Sequence, residues 1–134
     1  MPLRASAVKA RAIGALLAVA SVRCGDERAP VACPAYAAAG LEVSVSNAAN
    51  GQPICDATVT ATDGLYSEQL FEAACRFTGA VERPGTYVVR ASRPGFTPNE
   101  LAPVRVVMGG GECPHVDETR VTIELTPEDR AEPR

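Results

Sequence analysis

Apolar and polar residues alternate in several short stretches of the chain, which is the pattern of half-buried β-strands. The alternation is cleanest at residues 41–46 (LEVSVS) and 121–125 (VTIEL). Residues 65–74 are less regular, and we predict an irregular hairpin there. No stretch has the 3.6-residue period of a convincing amphipathic helix. The other predicted strands cover residues 54–62, 75–81, 86–91 and 101–108.

Turn residues separate these stretches at regular intervals. Asn-Gly at 50–51 and Asp-Gly at 63–64 are short turn signals. A Pro-Gly pair follows at 84–85 and again at 94–95, and Gly85 and Gly95 suit tight turns with a positive φ. These six strands and the irregular hairpin make about seven short strands separated by turns, which predicts an all-β fold, a seven-stranded β-sandwich.

The N-terminal pattern differs from the rest and predicts export. Residues 1–11 carry three basic residues and no acid, and residues 12–20 form an apolar run of nine. Nine residues are too few to cross a bilayer but suit the apolar core of a signal peptide. We therefore predict a signal peptide at 1–23, a tether rich in Ala and Pro at 24–40, the sandwich at 41–126 and a solvated tail at 127–134.

Cys24 directly follows this leader, and the chain has five cysteines. An odd cysteine in an exported chain needs its own explanation, and lipidation of Cys24 is one. Residues 21–24 (SVRC) resemble a bacterial lipobox only in part, because Ser21 and Arg23 stand where an aliphatic and a small residue are expected. The alternative is cleavage after Ala20, which would leave Cys24 free or paired between molecules on a secreted protein.

Charge restricts the partners of the mature protein. Lys9 is the only lysine, and this use of Arg together with abundant Ala, Pro and Val is typical of a GC-rich bacterial genome. Downstream of Cys24 lie nine arginines and 16 acids, a net charge of −7. A domain this acidic, without a basic stripe, argues against nucleic acid as a partner and against electrostatic binding to anionic membranes.

Candidate chemistry is sparse. His115 is the only histidine, and its neighbours Cys113, Asp117 and Glu118 would allow a metal site to be drawn. Because Cys113 is expected to be oxidised and a second histidine is lacking, we interpret His115 as a structural loop residue. We find no Ser/His/Asp pattern, phosphate loop or calcium-loop spacing. We therefore expect no catalytic residue, no cofactor and no metal site.

From residue 41 to residue 125 the chain resembles the carboxypeptidase regulatory-like domain family. Residues 50–54 (NGQPI) with 57–61 (ATVTA) are similar to its first turn and strand, and 83–91 (RPGTYVVRA) to its P-G-x-Y-x-V-x-A strand. Residues 93–96 (RPGF) and 122–125 are similar to the turn and the closing strand that follow. The resemblance implies a transthyretin-like sandwich, although cysteines at 55 and 75 depart from the family pattern. Tyr87 is then expected in the core rather than at a ligand.

Four cysteines in the domain allow three pairings, between which the sequence alone does not choose. The resemblance adds that the first and last strands of such sandwiches run side by side and parallel. Cys33 lies eight residues before Leu41 and Cys113 eight before Val121, so this arrangement implies the pairs Cys33–Cys113 and Cys55–Cys75.

The function that we expect is that of a non-enzymatic, exported module of the cell envelope, as a lipoprotein with an interaction or structural role. Its partner would be an envelope protein or a glycan, bound by the strand-end segments at residues 47–53, 97–103 and 109–118. One alternative is a small secreted protein that binds carbohydrate or peptide. The other is an envelope metal-binding protein centred on His115.

Overall fold

The computed structural model describes Gly25 and residues 29–129 of the chain. The predicted signal peptide, Cys24 and the last five residues lie outside this part. Within it no helix is long and apolar enough to span a membrane. The regular elements are nine β-strands: β1 (Leu41–Asn47), β2 (Thr58–Asp63), β3 (Tyr66–Gln69), β4 (Phe71–Ala73), β5 (Arg76–Gly79), β6 (Gly85–Ser92), β7 (Phe96–Thr97), β8 (Asn99–Val106) and β9 (Thr119–Pro127).

The strands form two sheets, which makes the described part all-β with a sandwich-like arrangement. One sheet has the order β4-β5-β1-β9-β7 and the other the order β3-β2-β6-β8. All pairs of neighbouring strands are antiparallel except β1 and β9, which run parallel. The first and last strands of the fold therefore lie side by side, as predicted.

The buried faces follow the alternation in the sequence. Val43 and Val45 of β1 point inward, as do Ile123 and Leu125 of β9, while the residues between them stay partly or fully exposed. Phe77 and Tyr87 are the largest fully buried side chains. Since aliphatic residues make up most of the remaining core, these two rings supply a large share of its volume.

Nine strands rather than seven result from two segments that the sequence pattern described incorrectly. Residues 65–74 are not a hairpin, because β3 pairs with β2 in one sheet and β4 pairs with β5 in the other. The chain crosses between the sheets at Leu70, whose side chain is buried. The second segment is residues 96–97, where β7 forms a short pair with the end of β9.

Two predicted strand boundaries also change. The strand expected at 54–62 begins only at Thr58, because Pro53 and Ile54 instead contact β1: the amide of Ile54 donates to the carbonyl of Val45 at 2.8 Å. The segment at 97–103 is mostly strand, because β8 begins at Asn99 and pairs with β6.

Glycines at two tight places have different roles from one another. Gly95 has a φ of 86° in its turn, as predicted. Gly85 does not have a positive φ; instead, a Cβ there would crowd the Asp63 carboxylate, which would have to shift. Pro-Gly in the sequence therefore marks both turns without showing which physical requirement the glycine meets.

The sandwich has two ends, which we name by one residue each. At the Cys33 end lie the start of β1 and β9, the end of β8, and four connecting segments: residues 31–40, 64–65, 80–84 and 107–118. At the Pro127 end lie the end of β1 and β9 and the segments 48–57, 93–98 and 127–129. β1 has seven residues, so the two ends are separated by roughly 20 Å.

Residues 31–40, expected as part of a tether, are attached to the Cys33 end. Ala38 packs against the core and exchanges hydrogen bonds with Glu82, accepting from its amide at 2.9 Å. Gly40 lies so close to β8 that a Cβ there would come within 2.5 Å of Val106. The compact unit therefore begins at Val31, ten residues before the first strand.

Candidate functional site

Two disulfides hold the sandwich, one at or near each end. Cys33–Cys113 joins residues 31–40 to the segment between β8 and β9 across a sequence separation of 80. Cys55–Cys75 joins the segment before β2 to the turn between β4 and β5 across a separation of 20. These are the two pairs that the resemblance implies. Disulfides of this kind fit an extracellular or otherwise oxidising compartment.

The register of β1 and β9 differs from the predicted one, in which Leu41 corresponds to Val121. Leu41 is opposite Thr119, and Val121 is opposite Val43 rather than Leu41. Cys33 and Cys113 therefore stand eight and six residues before the paired positions, not at equal offsets. A shift of two residues keeps the same side chains on the buried face, so hydrophobic alternation alone does not detect it.

A cluster around His115 is the most elaborate polar arrangement at the Cys33 end. Nδ1 of His115 lies 2.6 Å from Oε1 of Glu82, a residue of the turn between β5 and β6. The same carboxylate oxygen accepts a hydrogen bond from the amide of Ala38 at 2.7 Å. The ring of Tyr36 stacks on the imidazole, with 4.2 Å between centroids. Three segments that are distant in sequence thus meet at one carboxylate.

The disulfide explains why this cluster forms. Cys33 and Cys113 each lie within three residues of one of the stacked rings, Tyr36 and His115, so the cross-link holds both segments together. The sequence identified His115 but not Glu82 or Tyr36, because no motif links the turn at 80–84 to either segment. The parallel pairing of β1 with β9 and the antiparallel pairing of β1 with β5 bring these segments to the same end.

The surroundings of the Glu82 carboxylate stabilise its charged form. The hydrogen bond from the Ala38 amide, and after it the one with His115, lowers the pKa of Glu82 below its ordinary value of 4.5. Nε2 of His115 is buried and has no hydrogen-bond partner in the described part of the chain. The imidazole is therefore positioned by the contact of Nδ1 with Glu82 and by the stacked Tyr36 ring, and not through Nε2.

The lowered pKa of Glu82 predicts a pH dependence of stability. A carboxylate whose folded pKa lies below 4.5 contributes stability that is present above that pH and is lost as the pH falls through the folded value. We expect urea midpoints of the protein to fall between neutral pH and about pH 3, and to fall less in Glu82→Gln. Glu128→Gln, a change at an exposed acid of the other end, is the matched control. Equal pH profiles for Glu82→Gln and the unmodified chain would show that the carboxylate contributes nothing.

Arg83, the next residue, forms a second cluster at the same end. Its guanidinium lies 3.7 Å from the centroid of the Tyr66 ring, and Nη1 is 3.2 Å from Oδ2 of Asp63. Nη1 also donates to the Tyr87 hydroxyl at 3.1 Å, and that hydroxyl donates to the Arg83 carbonyl at 2.9 Å. Because Tyr87 is fully buried, it is a core residue, as predicted. The turn at 80–84 therefore organises both clusters.

Neither cluster has the composition of a metal or nucleophile site. In residues 29–129 no group of three or more His, Cys, Asp or Glu gathers to hold a metal ion. Cys113, which the metal alternative placed beside His115, is in a disulfide and has no thiolate to donate. What the arrangement does is fix the segment at 31–40 and the turn at 80–84 onto the sandwich.

The three predicted binding segments do not form one surface. Residues 47–53 lie at the Pro127 end, whereas 109–118 lie at the Cys33 end. Residues 97–103 run from the Pro127 end along β8 and are mostly strand. A shallow, open depression is present at the Pro127 end, where Arg93 lies over the Phe96 ring at 5.2 Å. Its lining also includes Pro94, Gly95, Pro127, Glu128 and Asp129.

The described part of the chain is an all-β, sandwich-like fold that two internal disulfides cross-link. No family model matches the chain, and no curated protein matches it in sequence.

Proposed function

We propose that the protein is an exported, non-enzymatic module of the bacterial cell envelope, with a lipid anchor at Cys24 and an interaction or structural role. The observation that carries the proposal is the use of the cysteines. Four of the five pair with one another inside the sandwich, and the fifth directly follows a leader of basic and then apolar residues. Lipidation of Cys24 accounts for both the odd number of cysteines and the position of Cys24 directly after the leader.

The proposal includes a relationship with the carboxypeptidase regulatory-like domains. It is supported by the parallel pairing of β1 with β9, which is what their transthyretin-like sandwiches lead us to expect. In that family such domains accompany other activities or bind at surfaces. The two polar clusters fit this role, since they fix loops in place instead of exposing reactive groups.

The anchor is tested on the full chain, expressed in a bacterial host that processes lipoproteins and is supplied with a labelled fatty acid. We expect label in the wild-type protein, none in Cys24→Ser, and a mass at the N-terminus that corresponds to acylated Cys24. Arg23→Gly, which makes the sequence before Cys24 closer to a lipobox, is expected to increase the labelled fraction. An unlabelled wild-type chain that begins at Ser21 would overturn the lipoprotein proposal and favour secretion.

A second candidate function is binding of carbohydrate or peptide by a secreted form. The depression at the Pro127 end favours it, because an aromatic ring, an arginine and acids stand together there. Screening of the protein and of Phe96→Ala on glycan and peptide arrays tests this candidate. Binding that is lost in Phe96→Ala supports it, and binding that survives the change would place the ligand elsewhere.

A further inference from the structure

Exposed apolar side chains are concentrated at the Cys33 end. Of the eight large hydrophobic residues that are exposed in the described part of the chain, six belong to segments at this end. Leu65 is the most extreme, since the tip of the turn between β2 and β3 leaves its side chain fully exposed. The six are Val31, Tyr36, Leu65, Val81, Val107 and Met108.

This distribution is unusual for a free surface. Single exposed apolar residues occur on every protein, but six of them on separate segments of one end indicate that this end contacts something else. The other two exposed residues lie on strands, Phe71 on β4 and Val88 on β6. The connecting segments of the Pro127 end contain none of the eight. The two ends of the sandwich therefore differ in chemistry.

The position of Cys24 in the chain indicates that the surface in contact with the Cys33 end is a lipid bilayer. Cys33 is covalently fixed to this end by its disulfide, and it lies only nine positions after Cys24. A segment of that length spans at most about 30 Å when fully extended. A lipid on Cys24 would therefore attach the domain through the Cys33 end and keep this end within about 30 Å of the bilayer.

Charge at this end selects the kind of lipid surface. Asp63 forms an ion pair with Arg83, and the Glu82 carboxylate is hydrogen-bonded to the Ala38 amide and to His115, so both acids have partners within the protein. The remaining charges of the segment at 107–118 are acidic, with Glu112 as one example. An end with apolar side chains and excess acid suits a zwitterionic lipid interface and not an anionic one.

We propose that the Cys33 end is a membrane-docking surface: when Cys24 is lipidated, Leu65 and the other exposed apolar side chains of this end contact the zwitterionic interface of the bilayer. The Pro127 end, with its depression, then faces away from the membrane. This inference rests on the proposed anchor, which supplies the attachment. The apolar side chains supply the orientation.

The chain has no tryptophan, so a single introduced tryptophan reports its own surroundings. Leu65→Trp and Met108→Trp place the probe at the Cys33 end, and Ala49→Trp, in the exposed turn after β1, is the matched control. All three positions are exposed. Each variant is expressed from the full chain and lipidated, and its circular dichroism verifies the fold. The proteins are reconstituted in phosphatidylcholine vesicles with brominated or unmodified acyl chains.

We expect bromine to quench Leu65→Trp and Met108→Trp, with a blue-shifted emission, and to leave Ala49→Trp unchanged. Adding anionic phosphatidylglycerol should weaken the quenching. If both probes at the Cys33 end stay unquenched in a chain whose lipidation is verified by mass, the docking surface is overturned while the anchor stands. A chain without lipid at Cys24 overturns both. Emission that depends on protein concentration instead of bromine would identify a second copy as the occupant and would also overturn the proposal.

Discussion

Replacing Cys33 and Cys113 together by serine is expected to lower the free energy of unfolding by about 4 to 5 kcal/mol. The cross-link closes a loop with a sequence separation of 80, and its removal frees that loop in the unfolded chain. A small domain has a total stability of roughly 5 to 15 kcal/mol, so this single loss removes a large part of it. Urea unfolding, followed by circular dichroism at neutral pH, measures the change.

The second disulfide provides the internal comparison. Cys55→Ser with Cys75→Ser opens a loop with a separation of only 20, for which the same entropy relation gives about 3 kcal/mol. We therefore expect the Cys33–Cys113 variant to have the lower urea midpoint of the two. The opposite order would show that local packing in the folded state, and not the length of the freed loop, determines the effect of each bond.

The Cys33–Cys113 bond also has a structural consequence that the other lacks. It holds Tyr36 against His115 and so supports the contact of Ala38 with Glu82. In the serine variant we expect earlier proteolysis within residues 31–40 than in the variant of the other pair. Proteolysis sites mapped by mass spectrometry would therefore separate a local role of this bond from its effect on the unfolded chain.

Much of the sandwich was predictable because its strands are half buried. In β1 and β9 every second residue is apolar, and the period of two identifies a strand without any tertiary information. The failures have physical reasons as well. In residues 65–74 the chain changes sheets at Leu70, so one short segment contributes to two different faces and no single period describes it.

The candidate site was less predictable than the fold. His115 and the cysteines could be singled out by residue type, but Glu82 is one of many acids in the chain. Its role depends on a turn that places it beside Ala38 and His115, which are 44 and 33 residues away in sequence. Contacts of such separation follow from the topology of the sandwich, and no local pattern contains them.

Tyr87→Ala is expected to destabilise the domain by about 3 to 5 kcal/mol, the cost of removing a large ring from a packed core. Tyr87 is fully buried and is the largest such side chain in the described part of the chain. Its hydroxyl donates to the carbonyl of Arg83 four residues earlier, a contact similar to the tyrosine corner of other β-sandwiches. The ring thus fills the core while its polar tip fixes the turn at 80–84.

Tyr87→Phe separates these two contributions, because it keeps the ring and removes only the hydroxyl. We expect a smaller loss, about 1 to 2 kcal/mol, since the Arg83 carbonyl and guanidinium each lose a partner. If the hydroxyl also positions the turn, Tyr87→Phe should change the pH profile that depends on Glu82, the neighbour of Arg83. Urea unfolding of both variants at neutral and acidic pH tests this. A Tyr87→Phe protein with wild-type stability at both pH values would show that the ring alone matters. The turn at 80–84 would then be held by its other contacts, which include the Arg83–Asp63 ion pair.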